Sequence, residues 1–461
     1  MYELKEYKLN LETISSDFQF NKNGLTHSQG EKYKLLPYVA NEKNLISEFS
    51  GVVGAFSRLI SNKELKDQFN VQEFLDEVSE SIAEYNGIAT REIFKDIVKT
   101  MFIDGENLVN FDIKTINYLS STNAENKLAK FLYSILFDSE LKEKVLKQYN
   151  SPVENILYKL VLKALPKLKE KDFFGNEYKC YMPFIRELFI DDFKFIIKNE
   201  ELYKNSLKRF LEYYYMFYVS QLCMKLNRFE KAELDKVEKI YYTLSWEKTS
   251  KNRTAYKFGW NLLKCNIEPL FAHAITLELL NHHGLNEQLG YKELAELYNS
   301  LDEEEINEQI KSVFNAYVNQ IKYKNWTEFK PINRNTQTNG FSQVYKLFDA
   351  IEYQFIKSSR TRAYEAYRKW FINFVRDNFS KKRGPLGYNL NITEDDIILM
   401  TKICIKDNIR MKLNTLFNEF ELRGLFFDRD SKVKIIQLYE KLNLLEKKSD
   451  SGDAQYVRSV L

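Results

Sequence analysis

The stretch FLEYYYMFYVSQLCMKL, residues 210–226, constrains the fold more than any other part of this chain. It is apolar and aromatic almost all round, and only Glu212, Ser220, Gln221 and Lys225 interrupt it. A membrane-spanning helix needs ~20 predominantly apolar residues, so the segment reads as a helix buried within protein. The 461 residues are 44% hydrophobic and 15% aromatic, ample material for packed interiors, and the length predicts two or three domains. Only 15 glycines and 7 prolines punctuate the chain, which favours long helices over a turn-dense β architecture.

Charge is balanced, with 68 basic against 65 acidic side chains, so any nucleic-acid footprint has to be local. Cys180, Cys223, Cys265 and Cys404 form no CxxC pair and sit among apolar neighbours. Reduced, buried thiols of a cytoplasmic protein are expected, rather than a disulfide framework or a zinc site. The opening MYELKE lacks the apolar core of a signal peptide.

Residues 1–50 mix polar loops with short apolar runs, and NKNGLTHSQGEK is expected to be an exposed excursion. Helical periodicity dominates from Leu45, as in FLYSILFDSELKEKVL and NILYKLVLKALPKLKE. Two prolines and a glycine in residues 165–183 suggest a break. The domains expected are a helical region at 1–165, an aromatic-rich helical domain at 166–392 ending in a basic helix, and a third domain at 393–461. A helical block runs to about Ile321, and NWTEFKPINRNTQTNGFSQ reads as a surface loop. One or two amphipathic helices follow, and SKKRGPLGYN breaks their pattern.

The last seventy residues form a module of their own. Thr393 is placed as an N-cap, with Glu394, Asp395 and Asp396 in the first turn. IILMTKICI gives a first helix and MKLNTLFNEFELRG a second, closed by Gly424 as a left-handed cap. LFFDRD is read as a short connection. SKVKIIQLYEKLN is a third helix starting at Asp430 or Ser431, with Ile435, Leu438, Tyr439 and Leu442 on one face. LLEKKS and QYVRSVL are paired strands around the turn DSGD. Three helices and a β-hairpin describe a winged helix, a helix-turn-helix variant. The fold class expected is therefore mainly α: a multi-helical scaffold with a C-terminal winged-helix domain.

Two groups of residues are candidates for contact with double-stranded DNA. On the third helix Lys434, Gln437 and Lys441 share the outward face, and Lys447, Lys448 and Arg458 sit on the wing. Seven basic and six acidic residues mix over 428–461, so DNA contact and protein docking both stay open for this module. Residues 357–383 are more one-sided, with nine Lys or Arg against Glu365 and Asp377. Arg362, Lys369 and Arg376 recur at seven-residue spacing opposite Tyr364, Tyr367, Phe371 and Phe374, and Lys381, Lys382 and Arg383 follow. This pattern predicts backbone phosphate contact.

Signatures of catalysis are absent from the sequence. SGVVGAFSR has glycines but no lysine where a phosphate loop needs one, and GxGxxG, HExxH and GxSxG do not occur. His27, His273, His282 and His283 read as buried or capping residues, because the step from His273 to Glu278 does not share a helical face. DDFK (191–194) and EYK (177–179) fit a metal-dependent nuclease loosely, as such triplets do by chance in a charged chain. No cofactor, no metal and no enzymatic activity are expected.

Several blocks together resemble the family of DNA phosphorothioation-dependent restriction proteins DptG. They are YYYMFYVSQLCMKLNRF, LSWEKTSKNRTAYKFGWNLL, PLFAHAITLELLN, the basic aromatic helix with KKRGPLGYNLNITEDDIILMTKICI, and LEKKSDSGDAQYVRSVL. The likeness runs from Tyr213 onward. It implies one subunit of a bacterial antiphage restriction module that acts on DNA lacking phosphorothioate modification. DptF-like and DptH-like partners would supply the nucleotide-driven work. The resemblance carries over no catalytic residue. The competing reading is a stand-alone winged-helix regulator, and over 300 residues of helical scaffold favour the complex subunit.

Overall fold

The computed structural model describes residues 7–22, 24–39, 45–46, 48–66, 69–82, 90–173, 177–356, 358, 360–447 and 455–460. The fold is mostly helical, with small sheets. It divides into two compact units, each gathered from segments far apart in sequence. One contains Met1–Lys43, Phe217–Ile392 and Gly424–Lys434, and the other Asn44–Met216, Thr393–Arg423 and Ile435–Leu461. The division differs from the three consecutive stretches expected at 1–165, 166–392 and 393–461, because long-range strand and helix pairing overrides chain order. The break expected at 165–183 is not a unit boundary, since Lys169–Glu170 pairs antiparallel with Lys63–Glu64 inside one unit. The apolar stretch lies on the helix Glu200–Leu226, where residues 210–226 are all buried.

In the first unit, every residue of the helix Leu270–Leu280 is buried. The helices Phe341–Phe355 and Thr361–Asn378 pack on it, and Phe271 meets the rings of Phe355, Tyr364 and Tyr367. Glu278 brings a carboxylate into this interior, fully buried. It accepts the backbone N–H groups of Gly30, Glu31, Lys32 and Tyr33 at 3.0, 3.2, 2.8 and 3.0 Å. A buried charge is tolerated when it is so fully hydrogen-bonded. The segment NKNGLTHSQGEK is therefore not an exposed excursion: Leu25 is buried, and the His27 ring is enclosed by Phe18, Phe271, Tyr317 and Phe355.

A four-stranded sheet completes this unit, in the order Ser380–Lys382, Tyr388–Ile392, Tyr241–Leu244, Phe426–Phe427. Tyr241–Leu244 runs parallel to both of its neighbours, with Thr243 opposite Asn391 and Tyr241 opposite Phe426. The expected helical block thus holds a strand, and LFFDRD is an edge strand rather than a plain connection. Aromatic and β-branched residues suit both segments, but their partners lie more than 140 residues away. SKKRGPLGYN becomes an antiparallel hairpin, Lys381 opposite Asn389.

In the second unit, the helix Ser50–Ser61 packs closely on Asn123–Leu136. Gly54 of SGVVGAFSR lets this helix come close to the backbone at Leu119, and Gly51 leaves room for the Glu125 side chain. A Cβ on Gly54 would stand 2.5 Å from the Leu119 carbonyl oxygen, and one on Gly51 2.4 Å from the Glu125 carboxyl group. Two further helices, the latter half of a third and a small sheet come from the C-terminal part. Thr393 caps Glu394–Ile405 in a capping box with Asp396, as the sequence predicts. Leu413–Leu422 ends before Gly424, whose φ of +82° is the left-handed cap anticipated. Arg429–Lys441 is capped by Asp428, which accepts from the Ser431 N–H at 3.1 Å, and not by Asp430 or Ser431. Ile435, Leu438 and Tyr439 are buried, whereas Leu442 lies just past the helix and is 40% exposed.

The strands Leu445–Lys447, Gln455–Arg458 and Arg410–Lys412 form an antiparallel sheet with Gln455–Arg458 in the middle. Val457 faces Leu445 on one side and Met411 on the other and is fully buried. The turn DSGD lies outside the described residues. Of the cysteines, Cys223 and Cys404 are buried as expected, but Cys180 is half-buried and Cys265 exposed.

Candidate nucleic-acid interface

The helix Thr361–Asn378 buries Tyr367, Trp370, Phe371, Phe374 and Val375 against its unit and leaves Tyr364 half-buried. On the opposite face Arg362 and Lys369 are exposed, and neither has a carboxylate partner among the described residues. The third member of the stripe behaves differently. Arg376 is half-buried, its guanidinium 5.2 Å from the Tyr388 ring centre and 5.8 Å from that of Trp260. It is held by cation–π attraction, and its buried Nε has no hydrogen-bond partner among the described residues. The hairpin that follows splits in the same way. Lys381 and Lys382 are exposed, and the Lys381 ammonium donates to the Ser245 carbonyl at 2.8 Å. Arg383 turns inward and donates to the Leu244 carbonyl at 2.8 Å, with burial lowering its pKa. Of these six candidates Arg362, Lys369, Lys381 and Lys382 are therefore the ones that stay exposed.

The C-terminal candidates are more nearly neutralised. Gln437 and Lys441 are exposed and Lys434 is half-buried. Lys447 pairs with Glu440 at 2.7 Å, and Arg458 with Glu446. Arg410 joins Glu446 at 2.6 Å and stacks 4.8 Å over Tyr456. Hydrogen bonds from Arg410 and Arg458 hold the Glu446 carboxyl below its usual range. Sequence reasoning missed Arg410, which reaches the C-terminal hairpin only through strand pairing. Lys448 lies outside the described residues.

The acidic triplets are engaged in ion pairs. Asp192 of DDFK is fully buried and receives the Arg423 fork, Nε at 2.7 Å and Nη2 at 2.8 Å, with the Tyr214 hydroxyl at 2.6 Å. Asp191 is exposed and pairs with Lys406, and Lys194 lies 3.4 Å from Glu140. Glu177 of EYK pairs with Lys130 at 3.0 Å. Among the described residues no group of three or more His, Cys, Asp or Glu side chains stands where it can hold a metal ion. No helix among them is long and apolar enough to cross a membrane.

The histidines serve the interior of the first unit. His273 Nδ1 is 3.0 Å from the Tyr291 hydroxyl, and its ring packs on Phe229 and Phe348. Burial, reinforced by Arg334, lowers its pKa to about 3, and burial with Arg360 does the same for His27. His283 falls to about 4, by burial and then by its neighbour His282. These folded values lie below the ordinary 6.5, so in that window the unfolded chain binds more protons. Stability is full above pH ~6.5 and drains as pH falls toward the folded values, by ~1.4 kcal/mol per pH unit for each histidine. Urea titrations of a His273→Leu variant should show a slope of stability against pH shallower by about one proton between pH ~6 and ~4. An unchanged slope would show that His273 does not stay neutral in the fold.

No family model and no curated protein matches the chain.

Proposed function

We propose that this protein is a non-catalytic scaffold and DNA-contacting subunit of a bacterial phosphorothioation-dependent restriction complex, working beside DptF-like and DptH-like partners. One observation carries the reading furthest. The strand Arg410–Lys412, set between the first two C-terminal helices, pairs with the returning strand Gln455–Arg458. Helix, strand, helix, a two-residue strand, helix and hairpin, with the first strand closing onto the last, supports the winged-helix reading. The resemblance of the terminal block to the DptG family points the same way. DNA contact is assigned to Arg362, Lys369, Lys381 and Lys382, which meet phosphates without reading sequence. The paired charges on the wing favour protein docking for the C-terminal module, while Gln437 and Lys441 stay exposed on its third helix.

Reversing charge at Arg362 and Lys369 together should weaken duplex DNA binding. The slope of log K against log salt should fall by ~0.9 for each lost phosphate contact. An unchanged slope in a folded variant would remove DNA contact from this face. Failure to co-purify with two larger partners from the native host would overturn the subunit reading.

A further inference from the structure

Arg58, in the last turn of the helix Ser50–Ser61, is a buried cation without a counter-charge. It is 7% exposed, and no carboxylate pairs with it among the described residues. Its Nη1 donates to the carbonyls of Asn117 at 2.8 Å and Leu119 at 2.7 Å, and its Nη2 to the Ser121 hydroxyl at 2.5 Å. Asn117 is itself fixed, its side-chain oxygen accepting from Ser57 at 2.8 Å and Ser61 at 3.1 Å. The guanidinium is thus held rigidly, while Nε and the second Nη2 hydrogen have no partner among the described residues. Elsewhere in this protein that same edge grips a carboxylate: Arg209 on Asp396, Arg253 on Asp428 and Arg423 on Asp192. A buried cation without a counter-charge is costly, and burial alone pulls the Arg58 pKa down to about 10.

The guanidinium lines a cleft of about 380 Å³, a size suited to a small ligand. Lys63, Lys66, Lys130 and Lys171 line it as well, with Glu64 as the carboxylate among the lining residues. Lys63, Lys130 and Lys171 make ion pairs with Glu170, Glu177 and Glu64, in which at least one partner is well exposed. Pairs of that kind contribute little and exchange readily. Lys66 is exposed and makes no salt bridge among the described residues, its charge acting on Glu64 at longer range. Phe173 adds an apolar wall, 5.7 Å from the Lys171 ammonium. Four lysines around one open guanidinium fork favour a dianion, and a fork of this kind binds phosphate in bidentate fashion.

We propose that this cleft is a phosphate-binding site, with the open edge of Arg58 as its anchor and Lys66 at its mouth. The ligand is a nucleotide-sized phosphate monoester, either free or at the end of a nucleic-acid strand. The site is independent of the basic face assigned to duplex DNA.

Binding of adenosine 5′-monophosphate to the full chain should be read by calorimetry at low ionic strength, with adenosine as control. The wild type should bind the monophosphate saturably and ignore adenosine. Lys66→Glu lies on the surface and should leave the melting temperature unchanged while weakening binding roughly tenfold. Arg58→Lys keeps the charge but loses the fork, and should weaken binding at least as much. Competition by an oligonucleotide with a 5′-phosphate, and not by its 5′-hydroxyl form, would identify a strand end as the source. Competition by free monophosphate alone would identify a small molecule. Absence of binding by the wild type, or equal affinity in wild type and Lys66→Glu, overturns the proposal.

Discussion

Asp192→Ala should cost the second unit ~3–5 kcal/mol, because it takes the fully buried carboxylate away from the Arg423 fork and leaves only the more exposed Glu419 to pair with it. Arg423 and Asp192 have side chains only 3% and 0% exposed. The carboxylate also receives Tyr214 and lies 3.2 Å from the Lys406 ammonium. Arg423 is tied in turn to Glu419 at 2.6 Å, and its carbonyl accepts from the Tyr213 hydroxyl. The charged partners push the Arg423 pKa up despite its burial. The loss should appear as a fall in melting temperature on the order of 10 °C. Asp191→Ala is the internal control: that side chain is 69% exposed, and its loss should stay within ~0.5 kcal/mol. Replacing both members of the buried pair, as Asp192→Leu with Arg423→Met, should recover much of the deficit, since the one partner then left, Glu419, is 30% exposed and reaches water. Equal melting temperatures for Asp192→Ala and Asp191→Ala would mean that the pair does not hold this unit together.

Deleting residues 455–461 from the full chain should unravel the C-terminal sheet. Gln455–Arg458 is the central strand, so its loss strips partners from Leu445–Lys447 and Arg410–Lys412 at once. The bonds from Arg458 N–H to the Leu444 carbonyl and from Ser459 N–H to the Ile409 carbonyl, both 2.9 Å, go with it. Burial of Val457 alone is worth roughly 1.5–3 kcal/mol. Hydrogen exchange is the direct readout: amides in Arg410–Lys412 and Leu445–Lys447 should lose protection, while those of Leu270–Leu280 keep theirs. Val457→Asp should act in the same direction by placing a charge at a buried site. Protection that survives the deletion would show that the outer strands hold without the central one.

The local devices were legible in the sequence. Thr393 was readable as a cap from the acidic turn behind it, and Gly424 as a left-handed stop from the end of an apolar repeat. The helix Thr361–Asn378 and its buried aromatic face followed from 3.6-residue periodicity. Each of these depends on residues within one or two turns, so each is carried by short-range order. The hairpin strands at the C-terminus were legible as well, from β propensity on either side of a turn motif.

Other features depended on distant partners. Arg362, Lys369 and Arg376 are equivalent by spacing, yet Trp260 and Tyr388 take the third of them out of the basic face. Glu278 looked like part of a histidine-rich cluster until the backbone of residues 30–33 folded over it. SGVVGAFSR was readable only as a phosphate loop without its lysine. The fold uses its glycines for close packing and leaves its arginine open toward a cleft. By itself the sequence determined a mainly helical chain, its caps, its buried aromatic helix and its terminal hairpin strands, because hydrophobic period and capping chemistry act locally. The tertiary structure decided which segments share a unit, where Phe426–Phe427 finds its strand partner, and which cations face outward. Those outcomes are set by side chains and backbone groups that meet across more than a hundred residues, and no local pattern encodes such meetings.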